Sequence, residues 1–387
     1  MVFKIGSCLF LFCLSTAKTV LAMVITDHQK TGKAVRSSSV VLPQTDQDRQ
    51  LEEWYRKHGI LLGPESGRRV QVSTTDKSIG GRGVFWTPSA SVMSANVQYA
   101  GVANQGDILA HVPGHLVLLP SNLQGSYPCL FPDNNCDTQK TGKDSCSWQS
   151  ILTAYTWMAL HDSRDGGSSP RWREWIESWK GSPNKDSKGS TCGPELPKPY
   201  EDYGPKEIEK LARLSHSTHL GVREAIECKY QTFENDWETV KSFVRREHGE
   251  EKSDTVKQEF AELYSLVLSR TTNLGPEWGN QLGVIPLHDM MNHPPSGTEA
   301  NVELFCVGDI RSAIGNDNLK MLLRPLLTEK QLRGEAEPPI FQDRDFVIAA
   351  RRRIQPHEEL FLAYKNGSLS EKQQIWLLLQ YGFPFCP

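Results

Sequence analysis

After residue 22 the sequence has no apolar stretch long enough to cross a bilayer, so no stable membrane span is expected. It has no H-E-x-x-H and no C-x-x-C pair, which removes the commonest zinc-hydrolase and zinc-ribbon signatures. Strong charge of one sign is missing too. A net charge of −3 gives no basic field for nucleic acid, and Arg351-Arg352-Arg353 reads as a solvated strand end. There is no internal repeat and no long low-complexity tract, so a solenoid is not expected. Of nine cysteines, Cys8 and Cys13 lie near the start. The others (Cys129, Cys136, Cys146, Cys192, Cys228, Cys306 and Cys386) form an odd set that completes no disulfide framework. Cys129, Cys136 and Cys146 share a polar loop and could pair in an oxidising compartment; free thiols are the expected state. What remains is a chain of 387 residues, 38% hydrophobic and 23% charged, which suits one large globular domain or two smaller ones.

Residues 1–22 have the pattern of a secretory signal peptide. Lys4 supplies the positive end, Cys8 to Leu14 the apolar run, and Val20-Leu21-Ala22 the modest residues of a cleavage site. Residues 23–50 read as a transit-like or disordered linker. Within it, 24–42 holds Lys30, Lys33, Arg36 and Ser37-Ser38-Ser39 with Asp27 as its one acid. The two together imply routing into the secretory pathway and onward to a plastid bounded by extra membranes. The cytoplasm is the alternative if the signal is not used. A fluorescent fusion of residues 1–45 that stayed in the cytosol would remove the routing.

The rest divides by periodicity. Leu51 to His58 reads as a short helix closed by Gly59. Val70 to Val72, Gly83 to Trp86 and Asp107 to Val112 read as strands, and Leu116 to Leu119 continues or ends the sheet. Trp148 to His161 carries Ile151, Leu152, Tyr155, Met158 and Ala159 at helical spacing. Pro170 to Lys180 carries Trp172, Trp175, Ile176 and Trp179 as one stripe. Residues 181–204 read as a loop. Helices follow from Pro205 to about Leu220, from Val222 to His248 and from Val256 to Ser269. Strands return at Asn301 to Val307 and Asp345 to Ala350, around a long polar segment, 308–342, with no strong period. Phe346 to Ile354 and Leu360 to Tyr364 read as a hairpin turning at Gln355-Pro356-His357-Glu358. Ser368-Leu369-Ser370-Glu371 is a capping box that starts a helix ending near Leu379.

Five local patterns carry chemistry. Gly80-Gly81-Arg82-Gly83 is a turn whose glycines let backbone approach a ligand closely. Ser269-Arg270 ends the helical block with a planar cation suited to a carboxylate. Pro286-Leu287-His288-Asp289-Met290-Met291-Asn292-His293 concentrates polar groups after an apolar strand. Glu358 to Tyr364 is a strand ending in a phenol. Tyr381-Gly382-Phe383 is a terminal aromatic cluster. Each has a plain alternative in a turn, a helix end or core packing, and His288, Asp289 and His293 could be read as metal ligands. No third histidine at helical spacing supports that last reading, and no metal is expected.

Taken in this order, the patterns resemble the SET-domain protein methyltransferases, in the branch that holds the Rubisco large-subunit lysine methyltransferase and the actin histidine methyltransferase. The resemblance covers about residues 75–385. It implies an α+β fold of small β-sheets with knot-like threading, an exception to unthreaded chains, interrupted by a helical insert. It divides the chain into 51–147 as the first part of the domain, 148–270 as the insert and 271–387 as the second part. It implies S-adenosyl-L-methionine as cofactor, a protein as substrate and a lysine side chain as acceptor. A histidine acceptor, or a SET-fold binding module without activity, stays open. By the same resemblance Tyr364 is the catalytic residue. Gly81, Arg82, Gly83, Arg270, Asn292, His293 and Phe383 bind the cofactor, and Ser269, Asp289 and Tyr381 border the substrate, with Asp289 a buttress of its loop. Three departures stand out. Lys365 follows Tyr364 where the family often has Gly or Asp, and 308–342 is longer than the usual connection. Relatives in that branch also continue into a helical C-terminal substrate-binding domain, whereas this sequence ends at Pro387.

Overall fold

The computed structural model describes residues 44–62, 68–74, 82–88, 102–124, 147–161, 171–179, 196–248, 253–294, 298–363 and 371–381. The signal and linker expectations therefore lie outside the described residues, apart from 44–50. There Thr45 caps helix α1 (Asp46–Lys57) in a reciprocal capping box with Asp48.

Among the described residues three sheets are small and antiparallel, and helices accompany them, which makes the fold α+β as expected. Strand β1 (Arg68–Thr74) pairs with β2 (Arg82–Pro88) in a register that sets Val72 opposite Val84 and Thr74 opposite Arg82. Strand β7 (Phe346–Ala350) is the centre of a three-stranded sheet, between β3 (Ile108–Val112) and β6 (Val302–Cys306). All five residues of β7 are buried, and so are all five of β3. Both faces are covered, so β7 reads as a continuous apolar run, and β3 does so apart from His111, whose Nε2 meets Asp345 Oδ2 at 3.0 Å. The two-residue ladder of β4 (Thr272–Asn273) on β5 (Leu282–Gly283) closes the third sheet.

The segment after β7 departs from the expected hairpin. Ile354 bridges Ala103 instead of returning on β7. The main chain of 357–360 then pairs with β2, with Trp86 N donating to Glu358 O at 2.9 Å and Leu360 N to Val84 O at 2.7 Å. Beyond it, Phe361 bridges Asn292 and Leu362 bridges Val302, both in parallel. One short strand is thus laid among β2, the Asn292 loop and β6. Sequence shows that such a strand exists but not its partner, because pairing is a non-local choice. Buried Asn301 fixes the strand: its amide donates to Glu359 O at 2.7 Å, and its Oδ1 accepts from Phe361 N at 2.7 Å.

The helices are α2 (Pro120–Gln124), α3 (Trp148–His161), α4 (Arg173–Trp179), α5 (Pro205–Ser215), α6 (His219–His248) and α7 (Ser253–Arg270). The expected run from Pro205 to Leu220 breaks at His216, which adopts a left-handed φ of 51°. A second correction concerns 308–342. It holds α8 (Val307–Ile314), α9 (Asn316–Leu323) and α10 (Glu329–Leu332). Val307, Leu319, Leu323 and Leu326 pack there against Ile108, Val347 and Ala349 of the central sheet. Each helix is too short to show a period, and Gly315 at φ 78° separates the first two. The last helix, α11 (Glu371–Tyr381), packs Ile375, Leu378 and Leu379 against Leu211, Val222 and Ile226 of α5 and α6. Buried Lys229 donates from Nζ to Leu379 O at 2.7 Å, a cation on the C-terminal carbonyls of that helix.

The tryptophans of 171–179 do more than fill the core. Trp172 Nε1 donates to Leu116 O at 2.9 Å, and Trp54 Nε1 of α1 donates to Arg171 O at 2.9 Å. A buried indole needs an acceptor, and these two fasten the loop before α4 to the rest of the molecule.

Candidate active site

The β4–β5 ladder decides where the site forms. It starts two residues after Arg270 and ends just before Val284, so it returns the chain to the end of α7. Val284 is then pinned by a bridge to Leu118. A side chain at Gly283 would meet Leu118 O at 3.1 Å and Leu274 Cδ1 at 3.0 Å, so glycine permits this close approach. Leu287 follows with φ 71° and ψ −46°, a conformation that L side chains rarely adopt. It is fully buried, and the strain, on the order of 1–3 kcal/mol, is held by its packing. The turn it makes aims His288 and Asp289 back at the end of α7.

The result is a cavity of about 210 Å³ lined by Ser269, Arg270, Thr271, Thr272, Asn273, Leu282, His288, Asp289 and Ala363. Two expected substrate-side residues, Ser269 and Asp289, and one expected cofactor residue, Arg270, meet there. Ala363 immediately precedes Tyr364. Tyr364 itself lies outside the described residues, as do Gly81 and Phe383. Tyr381 ends α11; one residue before it, Gln380 Nε2 donates to Leu268 O at 2.7 Å, beside Ser269.

Arg270 Nη1 donates to Ser269 Oγ at 3.0 Å and to Leu266 O at 3.4 Å. Its guanidinium lies over the ring of Trp179, 5.3 Å from the centroid. Its Nε is 3.9 Å from Asp289 Oδ2. The same oxygen accepts Trp175 Nε1 at 3.1 Å and Trp179 Nε1 at 2.9 Å. Burial of this carboxylate outweighs Arg270 and the two indoles and raises its pKa from 3.8 to about 7. Burial alone lowers the neighbouring His288 from 6.5 to about 4, so that imidazole is neutral at pH 7. His293 is half-buried and also lowered, with the Leu362 main chain acting the other way.

Asn292 joins three of the motifs. Its amide donates to Arg82 O at 3.1 Å and to Glu359 Oε1 at 2.7 Å, and its own carbonyl accepts Leu362 N at 3.0 Å. Both amide hydrogens are thus committed to protein groups. Arg82 and Gly83 open β2 at this seam. The Arg82 side chain runs the other way, however. It pairs with Asp48 at 3.0 Å and donates to Ser178 O at 2.9 Å and Gln47 Oε1 at 2.6 Å. A ligand at this turn would meet the backbone of Arg82, not its guanidinium.

Three participants went unread in the sequence. Trp175 and Trp179 were legible as a helical stripe but not as donors to Asp289. Glu359 was legible only as part of a strand, although it is buried and holds Asn292. Among the described residues no group of three His, Cys, Asp or Glu is placed to hold a metal ion.

No family model matches the sequence, and no curated protein matches it. Solved structures do. The SET domain of LSMT bound to lysine and AdoHcy aligns with a TM-score of 0.48 at 13% identity, over 87% of this chain and 57% of that one. Rubisco LSMT bound to sinefungin and monomethyllysine aligns at 0.46 and 12%, over 88% and 56%. Rubisco LSMT bound to AdoMet aligns at 0.46 and 13%, over 88% and 57%. This chain therefore spans a little over half the length of each. What the site can do follows from its own residues.

Proposed function

We propose that this chain is a SET-type, S-adenosylmethionine-dependent protein methyltransferase that acts on a lysine side chain. The observation that carries the reading is the convergence of Ser269-Arg270, His288-Asp289 and Ala363 on one cavity, with Asn292 tying the Arg82 turn to the strand that leads to Tyr364.

The residues fit such a cofactor. Arg270 offers a guanidinium, 17% exposed, to a ligand carboxylate at the cavity wall. The backbone at Arg82 and Gly83 and the loop around Asn292 and His293 would flank the remainder. When bound, S-adenosylmethionine supplies an electrophilic methyl group on a cationic sulfur. The protein must hold an acceptor nitrogen in line with it and keep that nitrogen neutral. Neutralising lysine at pH 7 costs roughly 4–5 kcal/mol against its ordinary pKa near 10.4. The neighbouring imidazole is already held uncharged, and the cation of Arg270 disfavours an ammonium nearby. Carbonyls of the 269–270 and 288–289 segments would face the methyl group as acceptors for weak C–H donors. Tyr364 would set the geometry of the nitrogen with its hydroxyl.

Tyr364→Phe is expected to lower turnover by about a hundredfold or more while cofactor affinity survives. Methyl transfer and ligand titration on the same preparation check this, and equal loss of both would contradict the role. Mass spectrometry of methylated proteins in cells with and without this chain identifies the acceptor. A mark on lysine that disappears with the protein supports the reading. A mark on histidine moves the acceptor to imidazole, and no change in any mark removes the activity.

A further inference from the structure

Asp289 has an uneven set of partners. Its side chain is fully buried. Oδ2 takes both indole donors, whereas Oδ1, equally buried, has no hydrogen-bond partner among the described residues. Arg270 faces the carboxylate at 3.9 Å without a hydrogen bond between them. Trp179 serves both groups, with its ring under the guanidinium and its N–H on the carboxylate. An ionised carboxylate buried this way would ordinarily gather more donors. Here one of its two oxygens remains available to carry a proton.

We propose that Asp289 is a positioning residue for Arg270, and that engagement of Arg270 by a ligand carboxylate shifts Asp289 toward its protonated form, with the proton taken from solvent onto Oδ1. The inference rests on the cofactor reading above. Its logic is a balance of charges. Burial favours the neutral acid, and Arg270 is the cation that favours the carboxylate. The indoles of Trp175 and Trp179 are neutral donors. Tyr55, from α1, is a phenol held neutral by burial and by Asp289 itself. His288, next in the chain, is uncharged above about pH 4. Among the described residues no other charge acts on Asp289 to replace Arg270 once a ligand carboxylate claims it. The acid form then gains, and a group that ionises near pH 7 crosses to its protonated state. With Asp289 neutral, Arg270 is left to the ligand, still stacked on Trp179.

Calorimetric titration of the full chain with S-adenosylhomocysteine tests this, in two buffers of different ionisation enthalpy at pH 5, 7 and 8. The expected result is uptake of a fraction of a proton at pH 7 and 8 and none at pH 5. Affinity is expected to fall about three- to tenfold from pH 6 to pH 8. Asp289→Asn keeps an oxygen for the indoles and is expected to bind with no uptake at any pH. Because the pH profile of the unaltered protein reads the effect by itself, the test stands even if that variant folds poorly. Binding without uptake at pH 7 and 8 would overturn the inference and leave the cofactor reading standing, and so would equal uptake in Asp289→Asn. No binding at any pH overturns the cofactor reading and this inference with it.

Discussion

Asn292 and Asp289 stand three residues apart on one loop, and their surroundings differ in kind. Asn292 commits both amide hydrogens, to Arg82 O and Glu359 Oε1, and its main-chain carbonyl to Leu362 N. Asp289 loads one oxygen with two indoles and, among the described residues, leaves the other bare, with Arg270 at 3.9 Å. The first side chain is a fastener. It joins segments whose pairing no local rule fixes, and it has no spare state to adopt. The second has two protonation states of similar free energy near neutral pH. One loop therefore supplies a fixed seam to the strands and a responsive wall to the cavity.

The sharpest way to separate the two is pH. Moving Asp289 from 3.8 to about 7 corresponds to roughly 4 kcal/mol at about 1.36 kcal/mol per tenfold change. The folded state binds this proton more tightly than the unfolded state. The group's stabilisation is therefore complete below pH 4 and is lost as pH rises through 7. Asp289→Asn is thus expected to raise stability at pH 8 by up to about 4 kcal/mol and to change little at pH 4. Urea unfolding at both pH values measures it. His288 works in the opposite sense, because its depressed pKa contributes stability above 6.5 that is lost as pH falls through about 4. Between about pH 4 and 6.5 the two nearly cancel, so unfolding of the unaltered protein is expected to show little pH dependence from this pair there.

The seam is expected to behave otherwise. Asn292→Ala strips a donor from a main-chain carbonyl and from a buried carboxylate, at a cost of about 2–3 kcal/mol. That loss is expected to be the same at pH 6 and pH 8. A cost under about 0.5 kcal/mol in urea unfolding would show that the seam holds without it. Smaller again is Trp179→Phe, which removes one donor from Asp289 while keeping most of the ring. About 1–2 kcal/mol is expected at pH 8, and less at pH 5, where Asp289 is protonated. A pH-independent loss would mean that packing, not the indole bond, is what the tryptophan contributes.

How much of this was legible follows from distance along the chain. The helix over Trp148–His161 came from local spacing and forms as expected. The strands around the Arg82 turn came from β-branched and aromatic runs and form as a pair. The residues of the cavity were legible as motifs because Ser269-Arg270 and His288-Asp289 each carry their chemistry within two positions. Partners were not legible. Glu358 to Leu362 pairs with β2 and the Asn292 loop rather than with the strand before it, a choice made by burial across the whole domain. The helices over 307–332 escaped notice because eight-residue helices interrupted at Gly315 and Pro325 carry too few apolar positions to show a period. Arg82 was read from its place in a glycine turn, yet its guanidinium serves Asp48 in the first turn of α1, a partner that sequence spacing does not reveal.

A crystal structure of the full chain with S-adenosylhomocysteine tests the central claim most directly. The account predicts the ligand's carboxylate on the Arg270 guanidinium, its other end beside Asn292 and His293, and the Tyr364 hydroxyl opening onto the same cavity, which would serve as the acceptor's channel. Ligand bound at another face, or Tyr364 turned away from that channel, would contradict it.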